Sequence, residues 1–314
     1  MPFLDIAAAP IRGAGPKRLF SNLIDLLKGT WAARRALGQA RPDAIFATGG
    51  YVSVPVVVGG WLRGIPSLIY LPDLEPGLAV KVLALIARRV AVTNEEAARY
   101  FNPRKVVVTG YPVRGEFASV SREDARKRFG ISADKVLLIF GGSRGAAAIN
   151  RAVERNLEEL LEMAEIIHVC GQQEHTALES RRGALPEAKR ARYHLYDYLH
   201  DMPAALKAAD LAVSRAGASI LGEFTVAGVP AVLVPYPFAG EHQKNNALYL
   251  AERGAAVIVD NDKVEQELLP AVQGMLRDNV RRATMRESAL RLGRPDAARK
   301  IAELLRSLPA GKAV

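Results

Sequence analysis

The chain has 314 residues, 49% hydrophobic and 24% charged, with a formal net charge of +10. That length exceeds what one hydrophobic core usually serves, so two domains are expected. A single cysteine, Cys170, excludes a disulfide framework and points to a reducing compartment, and 6% aromatic content without basic–aromatic interleaving argues against a nucleic-acid partner.

An anionic small substrate or an anionic lipid surface suits the positive charge instead. The most apolar segment, "VSVPVVVGGWL", is broken by Pro55, Gly59 and Gly60, so no membrane span is expected. The opening "MPFLDIAAAPIRG" lacks the basic leader and long apolar core of a signal peptide. The expected place is the cytoplasm or the cytoplasmic face of the cell membrane, held peripherally.

In chain order, the first element is an amphipathic basic stretch, Lys17–Arg41. Phe20, Leu23, Leu26, Leu27 and Trp31 fall near one stripe, edged by Lys17, Arg18, Lys28, Arg34 and Arg35. Such a stripe usually packs on its own sheet, but a Trp flanked by cations also suits a membrane interface. Short β-branched runs then alternate with segments of helical period. Strands are predicted at Asp43–Ala47, Ser67–Leu71, Arg89–Thr93 and Lys105–Gly110. After a break come Lys135–Gly142, Ile166–Gly171, Arg192–Tyr196, Leu211–Arg215, Ala231–Pro235 and Ala255–Asp260. The alternation indicates buried parallel sheets of the doubly wound kind. The break at "GYPVRGEFASVSRED" divides an N-terminal domain, 1–116, from a second, 117–290, with 291–314 a C-terminal helix able to return to the first. Two such sheets would face each other across a cleft at their strands' carboxyl ends.

The chemistry-bearing motifs sit at strand-to-helix turns. "IFGGSRGAAAIN" offers glycines, Ser143, Arg144 and a helix start to a diphosphate, although a tight turn without ligand has the same look. "ATGGYVSVP" repeats the arrangement in the first half, with Thr48, Gly49, Gly50 and Tyr51 at the turn. Glu223 follows "RAGAS" in the opening of a helix. It either complements the helix dipole or accepts two hydrogen bonds from a ribose diol, and spacing alone does not choose. His242, Gln243 and Asn246 share a helical face, and amides that donate and accept suit sugar hydroxyls; an exposed polar face is the ordinary alternative. Cys170 reads as a small buried hydrophobe. His168, His175, His194 and His200 show no metal-ligand spacing, so neither a metal nor a cofactor is expected.

Together these pieces resemble the MurG-type UDP-N-acetylglucosamine transferases of peptidoglycan synthesis. "GGYVSVPVVVGGWLRGIP", "VTGYPVR", "GGSRGA", "DMPAALKAADLAVSRAGASILGEFTVAGVPAVLVP" and "HQKNNA" occur in the family's order over nearly the whole chain. The resemblance implies a GT-B fold, two Rossmann-like α/β domains facing a cleft. It implies UDP-N-acetylglucosamine in the second domain and a lipid-linked muramyl-peptide diphosphate on the first. By the same resemblance Glu223 meets the ribose, the backbone around Leu199 and Met202 meets the uracil, and Ser143 with Arg114 meets the diphosphate. Gly142, Gly217, Ala218 and Ser219 complete the donor turns, and His242, Gln243 and Asn246 lie near the sugar. Thr48, Gly49, Gly50 and Tyr51 fall to the acceptor, and Phe20, Leu23, Leu27, Trp31 and Trp61 to a membrane-contacting patch on an anionic surface.

The chain also departs from the family pattern. His242 stands where a second Gln is usual and Tyr111 where Asn commonly precedes "PVR". "YLPDLEPGL" replaces a His-Glu-Gln-Asn run, leaving Asp73 as the one suggestively placed acid for a general base. The family's opening strand and glycine turn ending in His have no counterpart in this sequence. The first domain is therefore expected to be incomplete, and the chain to bind donor but transfer sugar poorly. The implied reaction is an inverting, metal-independent transfer. Alternatives are a UDP-sugar-binding fragment needing a separate N-terminal piece, or a glycolipid glycosyltransferase of the same fold.

Overall fold

The computed structural model describes residues 4–8, 16–142, 145–238 and 241–309. The chain divides into two compact units, Met1–Gly110 with Asp296–Val314, and Tyr111–Pro295. Each is built on a wholly parallel sheet.

The first unit carries β1 (Ile45–Ala47), β2 (Ser67–Leu71), β3 (Arg89–Val92) and β4 (Val106–Val108), paired in that order. One face places Ile45, Ile69, Leu71, Val90 and Val92 under the helices that connect the strands, with Val57, Val80 and Leu83. On the other face Leu68, Tyr70 and Ala91 pack against Ile301 and Leu308, in and just after the helix Ala297–Arg306. The tail thus closes the opposite side of the sheet. Burial on both faces explains why β2, after Ser67, reads as a continuous run of large residues, Leu68 to Leu71, rather than an alternating one.

Pro55, Gly59 and Gly60 do not break the chain into loop. They lie in a nine-residue helix, Ser53–Trp61, packed on the long helix Pro16–Ala40. A Cβ at Gly59 would stand 3.0 Å from the Arg34 nitrogen and 3.1 Å from the Thr30 oxygen, so the missing side chain is what lets the two backbones approach. No described helix is long and apolar enough to cross a membrane.

The second unit holds β5 (Val136–Phe140), β6 (Glu165–Val169), β7 (Tyr193–Tyr196), β8 (Leu211–Ser214), β9 (Ala231–Leu233) and β10 (Ala256–Ile258), in the order β10-β9-β8-β5-β6-β7. Its main core joins Leu137, Ile139, Leu211 and Val213 of the central strands to Ile149 and Val153 on one helix and Leu268, Val272 and Met275 on another. Glu165 is buried in β6 yet fully compensated: Ser132 and Ala133 N–H donate to it at 3.0 Å each, and His194 Nε2 lies 2.6 Å away. All ten predicted strands are present and both units are α/β with a parallel sheet; the second is doubly wound, whereas the first steps one way only from β1 to β4, so double winding was expected of one sheet too many.

The amino ends of the central strands are tied by Asp210, which sits just before β8. Its carboxylate accepts from Val136 N–H at 2.8 Å, from Arg126 at 2.8 Å and from Arg122, while its own N–H donates to Val136 O at 2.8 Å. Removing it strands one buried N–H and two partly buried guanidinium groups. Asp210→Ala should therefore lower stability by about 2–3 kcal/mol, at or just below the low end of the range for breaking a buried pair because both arginines keep some solvent. Urea unfolding reads this directly; a loss under about 0.5 kcal/mol would show that the clamp is not structural.

Candidate functional site

In the second unit, successive strands step one way from β5 to β7 and the other way from β8 to β10. The neighbouring pair β5 and β8 is therefore the switch point of the sheet, and open α/β sheets take ligands beyond the carboxyl ends of such a pair. Phe140 ends β5 and leads to Gly141 and Gly142; Ser214 ends β8 and leads to Ala216, Gly217 and Ser219.

Glycine serves two purposes here. Gly142 has φ +89° and Gly145 +74°, which other residues rarely adopt, and a Cβ at Gly145 would come within 2.3 Å of the Cys170 carbonyl oxygen. A Cβ at Gly142 or at Gly217 would instead meet nothing within 4 Å. Gly217 has no backbone requirement either, so the two turns leave open space at the switch point. The helix Ala147–Arg155 starts directly after the first turn, with its N–H groups toward it. Ser143, and Arg144 beside it, lie outside the described residues.

Glu223 is in the first turn of the helix Ile220–Ala227. Burial pushes its carboxyl above the usual range, while a hydrogen bond from Ser219 and the nearby Arg114 guanidinium pull it back. Arg114 also donates to the His200 carbonyl at 2.9 Å, and so reaches the turn that carries Leu199 and Met202. Both are half-buried: Leu199 lies between β7 and the helix Met202–Ala208, whose cap is Asp201, and Met202 opens that helix. Arg114, Glu223, Ser219 and the 199–202 turn are thus brought together.

Gln243 and Asn246 are less available than the sequence suggests. Ala216 N–H and Tyr236 N–H both donate to Gln243 Oε1, at 3.2 and 2.9 Å, leaving the amide NH2 as the group able to meet a ligand. Asn246 is fully buried and donates to the Ala216 carbonyl at 3.2 Å. It supports the β8 turn from behind rather than offering its amide at the surface, a correction to the shared polar face drawn from spacing. His242, at the start of the helix His242–Glu252, is exposed.

In the first unit, Thr48 to Tyr51 form the turn between β1 and the helix Ser53–Trp61, with Gly49 at φ +89° and Gly50 at +76°. Asp73 lies two residues beyond β2, in a loop held by Thr93, whose hydroxyl donates to the Pro72 carbonyl at 2.8 Å. Of the expected membrane patch, Leu27, Trp31 and Trp61 are exposed at 63%, 69% and 55%. The side chains of Phe20 and Leu23 lie outside the described residues.

Two units, each built on a wholly parallel α/β sheet, are the architecture of the GT-B class, to which many glycosyltransferases belong. Residues 1–92 match the N-terminal domain of glycosyltransferase family 28 and residues 136–301 its C-terminal domain. A Roseiflexus sp. protein named UDP-N-acetylglucosamine--N-acetylmuramyl-(pentapeptide) pyrophosphoryl-undecaprenol N-acetylglucosamine transferase is 44% identical over 98% of this chain and 79% of its own length. A Desulforamulus reducens protein of the same name is 39% identical over 87% of this chain and 78% of its own. The crystal structure of Acinetobacter baumannii MurG superposes with a TM-score of 0.72 at 28% identity, covering 96% of this chain and 83% of that one. The chain belongs to glycosyltransferase family 28, and within it to the MurG type. A Listeria monocytogenes structure described as a putative UDP-N-acetylglucosamine 2-epimerase shares the fold alone, with a TM-score of 0.66 at 15% identity.

Sequence reasoning missed a buried polar cluster behind the glycine turn. His168 is fully buried, with Nδ1 2.8 Å from the Tyr193 hydroxyl and Nε2 3.0 Å from Asn150 Oδ1. Asn150 Nδ2 donates to the Cys170 carbonyl at 2.8 Å and to Glu174, which fixes the amide orientation. Oδ1 can then only accept, so Nε2 carries the proton and Tyr193 donates to Nδ1. The cluster ties the start of the helix Ala147–Arg155 to the end of β6. Cys170 itself is buried, and desolvation pushes its thiol up to about 11, which suits packing and not nucleophilic attack.

Burial lowers the His168 pKa to about 3, against an unfolded value near 6.5. The folded chain therefore binds fewer protons here than the unfolded one, and the contribution is intact above about pH 6.5 and lost as pH falls toward 3. Below about pH 6.5 this group alone should lower stability by up to about 1.4 kcal/mol per pH unit. Urea midpoints of the protein and of His168→Gln, which lacks the titration, should converge as pH falls. A gap independent of pH would mean that the imidazole is not held neutral.

Proposed function

We propose that the chain transfers N-acetylglucosamine from UDP-N-acetylglucosamine to a sugar hydroxyl of a lipid-linked muramyl-peptide diphosphate, a step of peptidoglycan synthesis. The observation that carries this is 44% identity, over 98% of the chain, to a transferase named for that reaction. The open turns at the β5–β8 switch point support it, because they suit a diphosphate and a ribose.

In this reading Glu223 accepts from the ribose diol, the backbone of the Leu199–Met202 turn meets the uracil, and Gly217, Ala218 and Ser219 line the second turn. Gly142 and the helix start at Ala147 face the diphosphate. As the acceptor oxygen bonds to the anomeric carbon, the bond to the diphosphate oxygen breaks and UDP leaves with the electron pair. The added negative charge on UDP falls beside that helix start and Arg114, which favour it through fixed dipole and charge. Gln243 offers its NH2 to the sugar, and His242 stands at the mouth of the same helix. The first unit takes the acceptor at Thr48, Gly49, Gly50 and Tyr51. Asp73 is the carboxylate we assign to receive the hydroxyl proton. The exposed Leu27, Trp31 and Trp61 support a peripheral place on the anionic cytoplasmic face of the cell membrane.

Calorimetry with UDP tests the donor site. Glu223→Ala should weaken binding by about 1–3 kcal/mol, the loss expected for a charged hydrogen-bond partner. Equal affinity in the variant would remove Glu223 from the site. Transfer of labelled N-acetylglucosamine tests the base: Asp73→Asn should lower kcat by about 10²–10⁴ with UDP affinity unchanged, and an unaltered kcat would exclude Asp73.

A further inference from the structure

Tyr111 stands where the family commonly carries Asn, and the transfer proposed above leaves it without a part. It is the first residue of the second unit and is half-buried. Three residues on is Arg114, whose Nη1 donates to the His200 carbonyl at 2.9 Å and whose charge is felt by the Glu223 carboxyl. Residues 111–114 belong to no helix or strand, so no ladder of hydrogen bonds fixes the backbone that carries Arg114. Side-chain packing has to do it.

Gly222 identifies the packing. It is buried inside the helix Ile220–Ala227, one residue before Glu223. Glycine in a helix interior is less favourable than alanine by about 1 kcal/mol, and Gly222 has no positive φ that would call for it. Space calls for it instead. A Cβ at Gly222 would stand 2.7 Å from Tyr111 Cβ, 2.7 Å from Cδ1 and 3.0 Å from Cγ. Two carbon atoms prefer roughly 3.5–4.0 Å, so any side chain at 222 would displace Tyr111. Tyr111 Cβ is itself among the atoms met, so turning the ring about χ1 would not relieve the overlap. The backbone at 111 would have to move.

Such a movement reaches Arg114. Pro112 locks its own φ at about −65° and confines the residue before it to extended backbone, so the links leading out of Tyr111 are stiff. Beyond Arg114 the chain is held again, because the Arg114 carbonyl accepts from the N–H of buried Phe117 at 3.2 Å. We propose that Tyr111 is a positioning residue for donor binding: seated on the bare backbone of Gly222, it holds residues 112–114 against the helix of Glu223 and sets the Arg114 guanidinium where the diphosphate arrives. Tyr111 and Gly222 are on this account a matched pair, the ring requiring the missing side chain. The inference rests on the donor site proposed above and deepens it.

The affinities of UDP and of uridine separate this role from a general effect on the unit, because only UDP carries the diphosphate. Tyr111→Ala should weaken UDP about tenfold, near the low end of what a charged hydrogen bond contributes, and change uridine less than about threefold. Tyr111→Phe keeps the ring and should stay within about threefold of the unsubstituted protein for both ligands. Gly222→Ala should imitate Tyr111→Ala; if it fails to fold, the two Tyr111 variants carry the test. Added to Arg114→Gln, Tyr111→Ala should cost less than about twofold more in UDP affinity, since a residue acting through Arg114 then has nothing left to place. Equal losses of UDP and uridine in Tyr111→Ala, or losses that simply add to those of Arg114→Gln, would reduce Tyr111 to a packing residue and overturn the proposal. If Arg114→Gln weakens UDP and Tyr111→Ala does not, the positioning role alone fails. If neither Arg114→Gln nor Glu223→Ala changes UDP affinity, the donor reading itself fails.

Discussion

Both sheets are parallel and covered on both faces, and that condition governs where anything polar can go. A strand such as β2 or β5 cannot present side chains to water along its length, so its amide groups are satisfied within the sheet and its residues are mostly apolar. Chemistry is thereby confined to strand ends. In the second unit one end of the sheet is closed by the Asp210 carboxylate, which binds two arginines and a strand N–H together. The other end is left to glycines, a helix start and Glu223. One end of the sheet is charge-neutralised for stability, and the other is kept open for a ligand.

This division explains why so much of the architecture could be read from the chain alone. A strand buried on both faces leaves a short β-branched run bounded by turn residues, and ten such runs mark ten strands. The strand-to-helix turns were equally visible, because glycine and small polar residues at "GGSRGA" and "SRAGAS" stand out against apolar flanks. Glu223 was visible for the same reason. What spacing could not settle was direction in depth. Gln243 and Asn246 are three residues apart and belong to one face, yet one is half-buried with a free amide end and the other is sealed beneath Ala216.

Two features had no signal in the sequence. The cluster of Asn150, His168, Glu174 and Tyr193 draws on two strands and two helices with no periodic relation, and its members are ordinary polar residues until the sheet brings them together. A basic concavity at the amino ends of β2, β3 and β4 is similar. Arg88, Arg89, Arg104 and Lys105 read as two unremarkable pairs of surface charges, and only the pairing of β3 with β4 places the turns side by side. Motifs at the carboxyl ends are written in glycine, which is rare enough to notice. Groupings at the amino ends are written in arginine and lysine, which are common everywhere on this chain.

Gln243 has a mechanical consequence. Its single side-chain oxygen accepts from the turn after β8 and from the turn after β9, so the two turns are riveted through one atom. Neither can shift without dragging the other or breaking a bond to it. Ordering that flexible loops would undergo only on meeting a ligand has been completed during folding, and the entropy of that ordering is charged to the fold and not to the affinity. A displacement felt at Ala216 is likewise transmitted to Tyr236 across the width of a strand, which makes the rim of the crevice a lever rather than a fringe.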